Sequence, residues 1–146
     1  MPIPQISVAE AHDKLSADAR TVYLDVRTDG EFEAGHPAGA RNVPVFFFDQ
    51  ARGGAVPNPD FVAVVERNFP RDTPLVVGCQ AGMRSQRACE MLVAAGYTDV
   101  ANVAGGFGGA RDASGRIVAP GWMQAGLPVD VGAPAGRTYT DLVAKR

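Results

Sequence analysis

Short runs of β-branched and apolar residues alternate along the chain with longer stretches whose apolar positions recur at helical spacing. This alternation predicts an α/β domain on a parallel sheet. Strands are predicted over 21–25, 40–43, 74–78 and 100–103. Leu75-Val76-Val77 is apolar without alternation, the pattern of a central strand covered on both faces. Helices are predicted over 8–17 with Ser7 as cap, over 29–34, over 59–68 behind Asn58, and over 85–95 closed by Gly96. In the last of these Ala88, Leu92 and Ala95 share one face, which would pack on the sheet.

Beyond Gly105 the chain turns glycine-rich, Gly105-Gly106-Phe107-Gly108-Gly109, and then polar through Arg116. This stretch reads as a loop, and 132–146 as a partly mobile tail. No internal repeat interrupts the pattern. At 146 residues the chain fits one domain over 1–146 with its core over about 5–130.

With 46% hydrophobic residues, 21% charged residues and a net charge of -2, the composition is that of an ordinary globular protein. It argues against nucleic acid as a partner, which calls for a basic surface. No stretch approaches membrane-spanning length, and the start Met1-Pro2-Ile3-Pro4-Gln5 lacks a basic region followed by an apolar run. A soluble cytoplasmic protein without a membrane partner is expected. The two cysteines, Cys79 and Cys89, make no disulfide framework. Cys89 would lie more than a turn down the predicted helix, at ~1.5 Å per residue, so a bond between them is not expected.

The candidate chemistry lies where the buried strand ends. Val76-Val77-Gly78 runs into Cys79-Gln80-Ala81-Gly82-Met83-Arg84-Ser85, and a helix follows. Ligands of open α/β sheets bind at the carboxyl ends of strands. A tight loop opening a helix turns backbone N–H groups toward one point, where the helix adds roughly half a positive charge. Such a nest suits a thiolate, and near a helix N-terminus or a cation a cysteine pKa falls from ~8.5 into the range ~3.5–7.5. Cys79 is therefore expected to be an acidified nucleophile, with Gly82 giving the loop freedom to curl and Arg84 placing a permanent cation beside it.

These residues match a pattern. The loop Cys-x-x-Gly-x-Arg-Ser over 79–85 resembles the active-site loop of single-domain rhodaneses. Upstream, Asp25-Val26-Arg27, Glu31-Phe32 and Gly35-His36-Pro37-Ala38-Gly39-Ala40-Arg41-Asn42-Val43-Pro44 are similar to the family's Asp-x-Arg strand end and its Gly-His-x-x-Gly-Ala turn. Downstream, Gly105-Gly106 and Trp122-Met123-Gln124-Ala125-Gly126-Leu127-Pro128-Val129 resemble its closing motif. The resemblance implies a rhodanese-like fold, a central five-stranded parallel sheet flanked by helices on both faces. It also implies a two-step sulfur transfer. Cys79 takes the sulfane sulfur of a donor such as thiosulfate and hands it, as a persulfide, to a thiol or cyanide. Gln80, Ala81, Gly82, Met83, Arg84 and Ser85 would form the persulfide loop, Asp25 and Arg27 would support it, and no metal or organic cofactor is needed. A protein could also serve as sulfur donor or acceptor.

Two departures stand out. Glu31 occupies a position where two-domain rhodaneses carry a substrate-binding arginine, and Ala81 one where they carry a lysine. Thiosulfate would then lean on Arg84 and the backbone. Between Gly106 and Trp122 the family commonly has three residues and this chain has fifteen. The extra segment, about 110–121, is expected to be an inserted loop.

Other chemistry-bearing residues read as structural. His36 suits a turn, since an ionised thiolate needs no general base. Cys89 reads as a small core residue and His12 as a surface one, neither with metal-ligand spacing. The glycine cluster does not complete Gly-x-Gly-x-x-Gly, because Arg111 takes the final place.

Three rival functions compete with this one. A cysteine phosphatase or arsenate reductase uses a Cys-x5-Arg loop with room for a tetrahedral oxyanion, whereas only four residues separate Cys79 from Arg84. A non-catalytic binding module of this type often lacks the cysteine, which is present here. A persulfide carrier fed by a protein partner shares the chemistry and is inseparable from an enzyme by sequence.

Overall fold

The computed structural model describes residues 2–144. Met1, Lys145 and Arg146, at the two ends of the expected domain and tail, lie outside the described residues. Five parallel strands form the main sheet: β1 (Gln5–Ile6), β2 (Val22–Asp25), β3 (Arg41–Asn42), β4 (Leu75–Gly78) and β5 (Val100–Val103), in the order β1-β5-β4-β2-β3. The four strands read from the sequence are all present, and β1, too short to show a pattern, completes them.

Central β4 pairs with β2 from Val22↔Leu75 to Asp25↔Gly78 and with β5 from Leu75↔Val100 to Val77↔Asn102. All four of its residues are buried, as its continuous apolar run requires. Successive side chains point to opposite faces, so Leu24, Leu75, Val77 and Val100 enter one core and Tyr23, Val76, Ala101 and Val103 the other.

Helices close both cores. On one face lie α1 (Val8–Ala17) and α2 (Asp29–Ala34), through Val8, Ala11 and Phe32. On the other lie α3 (Phe61–Asn68), α4 (Met83–Ala94) and α5 (Tyr139–Ala144), through Phe61, Val64, Ala88, Leu92 and Leu142. Both α1 and α2 begin with a capping box, Ser7 with Glu10 and Thr28 with Glu31, which satisfies two free N–H groups at once. Helix α3 starts at Phe61, two residues later than expected, because Asn58 Oδ1 accepts from the Asp60 amide in a turn of its own. Helix α4 starts at Met83, two residues earlier, with Gly82 at φ +101° as its cap. Among the described residues no helix is long and apolar enough to cross a membrane.

Three regions hold structure that the sequence reading did not include. The segment expected as an inserted loop at 110–121 is a hairpin, with Ala110–Arg111 antiparallel to Ile117–Ala119. Its turn is locked because Asp112 Oδ1 accepts from the amides of Ser114 and Arg116 and from the Ser114 hydroxyl. The tail read from 132 onward contains α5, with Leu142 only 5% exposed and Asn68 Nδ2 donating to its carbonyl. A second hairpin, Phe46–Asp49 with Gly54–Pro57, has no counterpart among the expected elements. Its Phe-Phe-Phe run is continuous and half-exposed, so period-two alternation gives no sign of it.

Candidate active site

Strand β4 stops at Gly78 and Cys79 follows, 2% exposed, at the carboxyl end of the central strand. The chain turns through Gln80 and Ala81 into Gly82, whose positive φ suits glycine. The loop therefore curls back over the sulfur. The Gly82 amide donates to Cys79 Sγ at 3.1 Å, and Ser85 Oγ, from the first turn of α4, lies 3.4 Å from it. Ala81 and Met83 face outward, Met83 at 83% exposure.

The glycine cluster read only as a loop is the platform under this turn. Phe107 N donates to the Cys79 carbonyl at 2.8 Å and Gly108 N to the Gln80 carbonyl at 3.0 Å. A Cβ on Gly106 would run into both carbonyls, and one on Gly108 into the Gln80 side chain. Close backbone approach, not flexibility, requires glycine here. The composition signalled it, but the partner strand end lies about 28 residues upstream in sequence and only the fold joins them.

Asp25 and Arg27 brace the other side. Both are buried, at 1% and 3% exposure, and Arg27 meets the Asp25 carboxylate through Nε at 3.0 Å and Nη2 at 2.7 Å. Arg27 also donates to the Gly35 carbonyl at 2.6 Å and to Gln80 Oε1 at 3.3 Å, and it lies over the Phe107 ring. Its charge is thus spent on contacts within the scaffold.

Arg84 corrects an expectation. Rather than a free cation beside the thiol, it is held by Glu31 of α2, Nη1 to Oε1 at 2.7 Å and Nη2 to Oε2 at 3.0 Å. Burial by itself would raise the Glu31 carboxyl, but the Arg84 hydrogen bonds, those of Thr28 and the Arg84 charge hold it down at about 2. The same bonds from Glu31 push the Arg84 guanidinium up. The residue that stands where an arginine was expected therefore neutralises the one arginine of the loop. No spacing rule relates positions 53 apart, so this pairing was illegible in the sequence.

The remaining candidates lie apart from the reacting sulfur. His36 is fully buried, stacks on Phe32 and sets Nδ1 2.7 Å from the Phe32 carbonyl, a turn histidine as expected. Cys89 is a core residue of α4, and burial pushes its thiol up to about 12, with the charges of Cys79 and Glu90 adding to the effect. His12 is half-buried rather than a free surface residue, edge-on to the Trp122 ring. Both cysteines are free. Besides the glycine platform, the sequence reading missed Asn102 of β5, buried at 2%, whose amide reaches both Gly82 and Ser85. A polar residue in Val-Ala-Asn-Val was the available signal.

Comparison with known proteins places the chain in a family. Residues 7–113 match the model of the Rhodanese-like domain. Thiosulfate sulfurtransferase 16, chloroplastic, from Arabidopsis thaliana is 40% identical over 123 residues, 84% of this chain and 89% of that protein. The senescence-associated protein DIN1 of Raphanus sativus is 41% identical over 91 residues, 62% of this chain; the match spans about half of that longer protein, 49%. Among solved structures, Rv0390 from M. tuberculosis superposes with a TM-score of 0.74 at 31% identity, over 90% of this chain and 100% of that one. With its match to the family model, its relatives and its five-stranded parallel sheet in common, the chain belongs to the rhodanese-like family.

Proposed function

We propose that Cys79 carries the transferred sulfur as a persulfide. The observation that carries this reading is the Gly82 amide aimed at Cys79 Sγ from a loop that opens a helix. A donor N–H and a helix N-terminus favour negative charge on a sulfur held there. In the first half-reaction the Cys79 thiolate attacks the sulfane sulfur of the donor. With thiosulfate the new S–S bond forms as the old one breaks, and sulfite leaves with the bonding pair. In the second, an acceptor thiolate or cyanide attacks the outer sulfur, the Sγ–S bond breaks, and the Cys79 thiolate is restored.

Incubation with thiosulfate is expected to add one sulfur atom to the wild-type protein by intact mass and none to Cys79→Ser. Cyanide or a thiol then removes it. A sulfur adduct that persists in Cys79→Ser refutes the assignment.

One observation favours a second donor class. Arg27 and Arg84, the two arginines at the loop, are both already paired with carboxylates, so a dianion finds weak electrostatic support. A thiol persulfide, on a small molecule or a protein, carries less charge and suits this site better than thiosulfate. Loading rates with thiosulfate and with a glutathione persulfide decide between them, and faster loading by thiosulfate removes the second reading.

A further inference from the structure

Burying a side-chain amide is costly unless its groups find partners. Asn102, on the floor of the site, finds them on two sides. Nδ2 donates to Gln5 Oε1 at 2.8 Å and to the Gly82 carbonyl at 3.2 Å, which uses both of its protons. Gln5 is fixed in turn, donating its own Nε2 to Gln86 Oε1 at 2.6 Å. Asn102 must therefore face Ser85 with Oδ1. At 2.5 Å from that oxygen, the Ser85 hydroxyl is the donor.

A hydroxyl has one proton and two lone pairs. Three acceptors lie within reach of that proton, Asn102 Oδ1 at 2.5 Å, the Gly82 carbonyl at 3.2 Å and Cys79 Sγ at 3.4 Å; with the proton on the nearest, Ser85 Oγ offers the sulfur a lone pair rather than a hydrogen. Ser85 then accepts from the thiol and does not donate to the thiolate. Turning the hydroxyl toward a thiolate would orphan the buried Asn102 Oδ1, and an unmet buried acceptor is expensive. The Gly82 amide is left as the donor the loop directs at the sulfur.

We infer that Asn102 is a positioning residue which, by claiming the Ser85 proton, makes Ser85 an acceptor toward Cys79 and leaves the Gly82 amide and the helix N-terminus to stabilise the thiolate without it. This rests on the reading of Cys79 as the nucleophile. Asn102 would restrain that nucleophile through Ser85 while holding the Gly82 end of the loop in place. The titratable and charged groups facing the sulfur are Arg84 with its partner Glu31, Cys89 on α4, and Tyr23 and the Asp25–Arg27 pair on the β2 side. The substitutions below leave all of them in place.

The test follows iodoacetamide alkylation of Cys79 against pH, by peptide mass, in the wild type, Asn102→Val, Ser85→Ala and the double variant. Valine suits a strand position; Asn102→Leu replaces it if Asn102→Val shows no cooperative melt. Freed from Asn102, the Ser85 hydroxyl chooses between the neutral Gly82 carbonyl and the Cys79 sulfur, and the charged thiolate makes the stronger bond. The pH of half-maximal alkylation then falls by about one unit, roughly tenfold faster reaction on the acidic limb. In the Ser85→Ala background removal of Asn102 produces no such acceleration. An unchanged or slower reaction in the folded Asn102 variant overturns the inference. So does an acceleration that persists without Ser85, because that would report mere loosening of the loop. Alkylation reads the thiol alone, so failure of Cys79 to load sulfur would sink the carrier reading and leave this result standing. Normal loading with an unmoved pH profile would do the reverse.

Discussion

Glu31 holds both terminal nitrogens of Arg84, 2.7 Å from Nη1 and 3.0 Å from Nη2, and so ties the helix after β2 to the helix that opens at the Cys79 loop. Two-point pairing of this kind fixes orientation as well as charge. The pair orders the mouth of the site and removes its one expected cation.

Glu31→Gln therefore separates two roles. Glutamine still serves the Thr28 capping box, but it leaves Arg84 charged and unpaired. Loading by thiosulfate is expected to improve, with a KM about tenfold lower from one charge-assisted contact. Steady-state cyanolysis measures it, and a KM equal to that of the wild type means that Arg84 does not meet the donor.

The same substitution carries a pH signature. A carboxyl held at about 2 against an ordinary 4.5 binds its proton more weakly folded than unfolded. The pair thus stabilises the fold above about pH 4.5, and the gain is lost as pH falls through about 2. Partly solvated, it is worth about 1 kcal/mol. Near neutrality Glu31→Gln should melt about 3 °C below wild type, and the gap should close in acid. A gap independent of pH would assign the effect to packing.

The two thiols should differ sharply. Burial pushes Cys89 up to about 12, so at mildly alkaline pH it stays protonated and unreactive. Brief alkylation of the native protein is expected to label Cys79 alone, and Cys79→Ser to take up no label. Equal labelling of both sites in peptide maps would show that α4 opens on the time scale of the experiment.

Glycine substitutions distinguish the platform from ordinary turns. Gly106, at φ +59°, has no room for a Cβ against the Cys79 and Gln80 carbonyls. Gly106→Ala should cost about 2–4 kcal/mol and reduce sulfur loading with it. At Gly30, inside α2, an added Cβ would meet nothing within 4 Å, and Gly30→Ala should stabilise by about 0.5–1 kcal/mol. Urea denaturation with an unchanged m-value measures both.

Leu142 probes the C-terminal segment. Buried in the core shared by α3 and α4, it should cost about 2–4 kcal/mol when cut to alanine, with Cys79 alkylation in the folded protein unaltered. A loss below about 0.5 kcal/mol would return the segment to the status of a loose tail.

Local and periodic features were legible in the order of residues alone. Leu75-Val76-Val77 announced a buried central strand, Ser7 sits where its helix begins, and Cys79 to Ser85 could be recognised because the loop is contiguous. What those pieces meet depended on the folded chain. Glu31 finds Arg84 across 53 positions, the Gly106 platform meets the Cys79 carbonyl, and Asn102 reaches Ser85 from another strand. Each of these requires two elements to be packed together, and hydrophobic periodicity places an element's face without naming the polar group opposite it. The Phe46–Asp49 hairpin and α5 were missed on other grounds: the first is a continuous, half-exposed apolar run without alternation, and the second follows a stretch whose glycines and proline read as a tail.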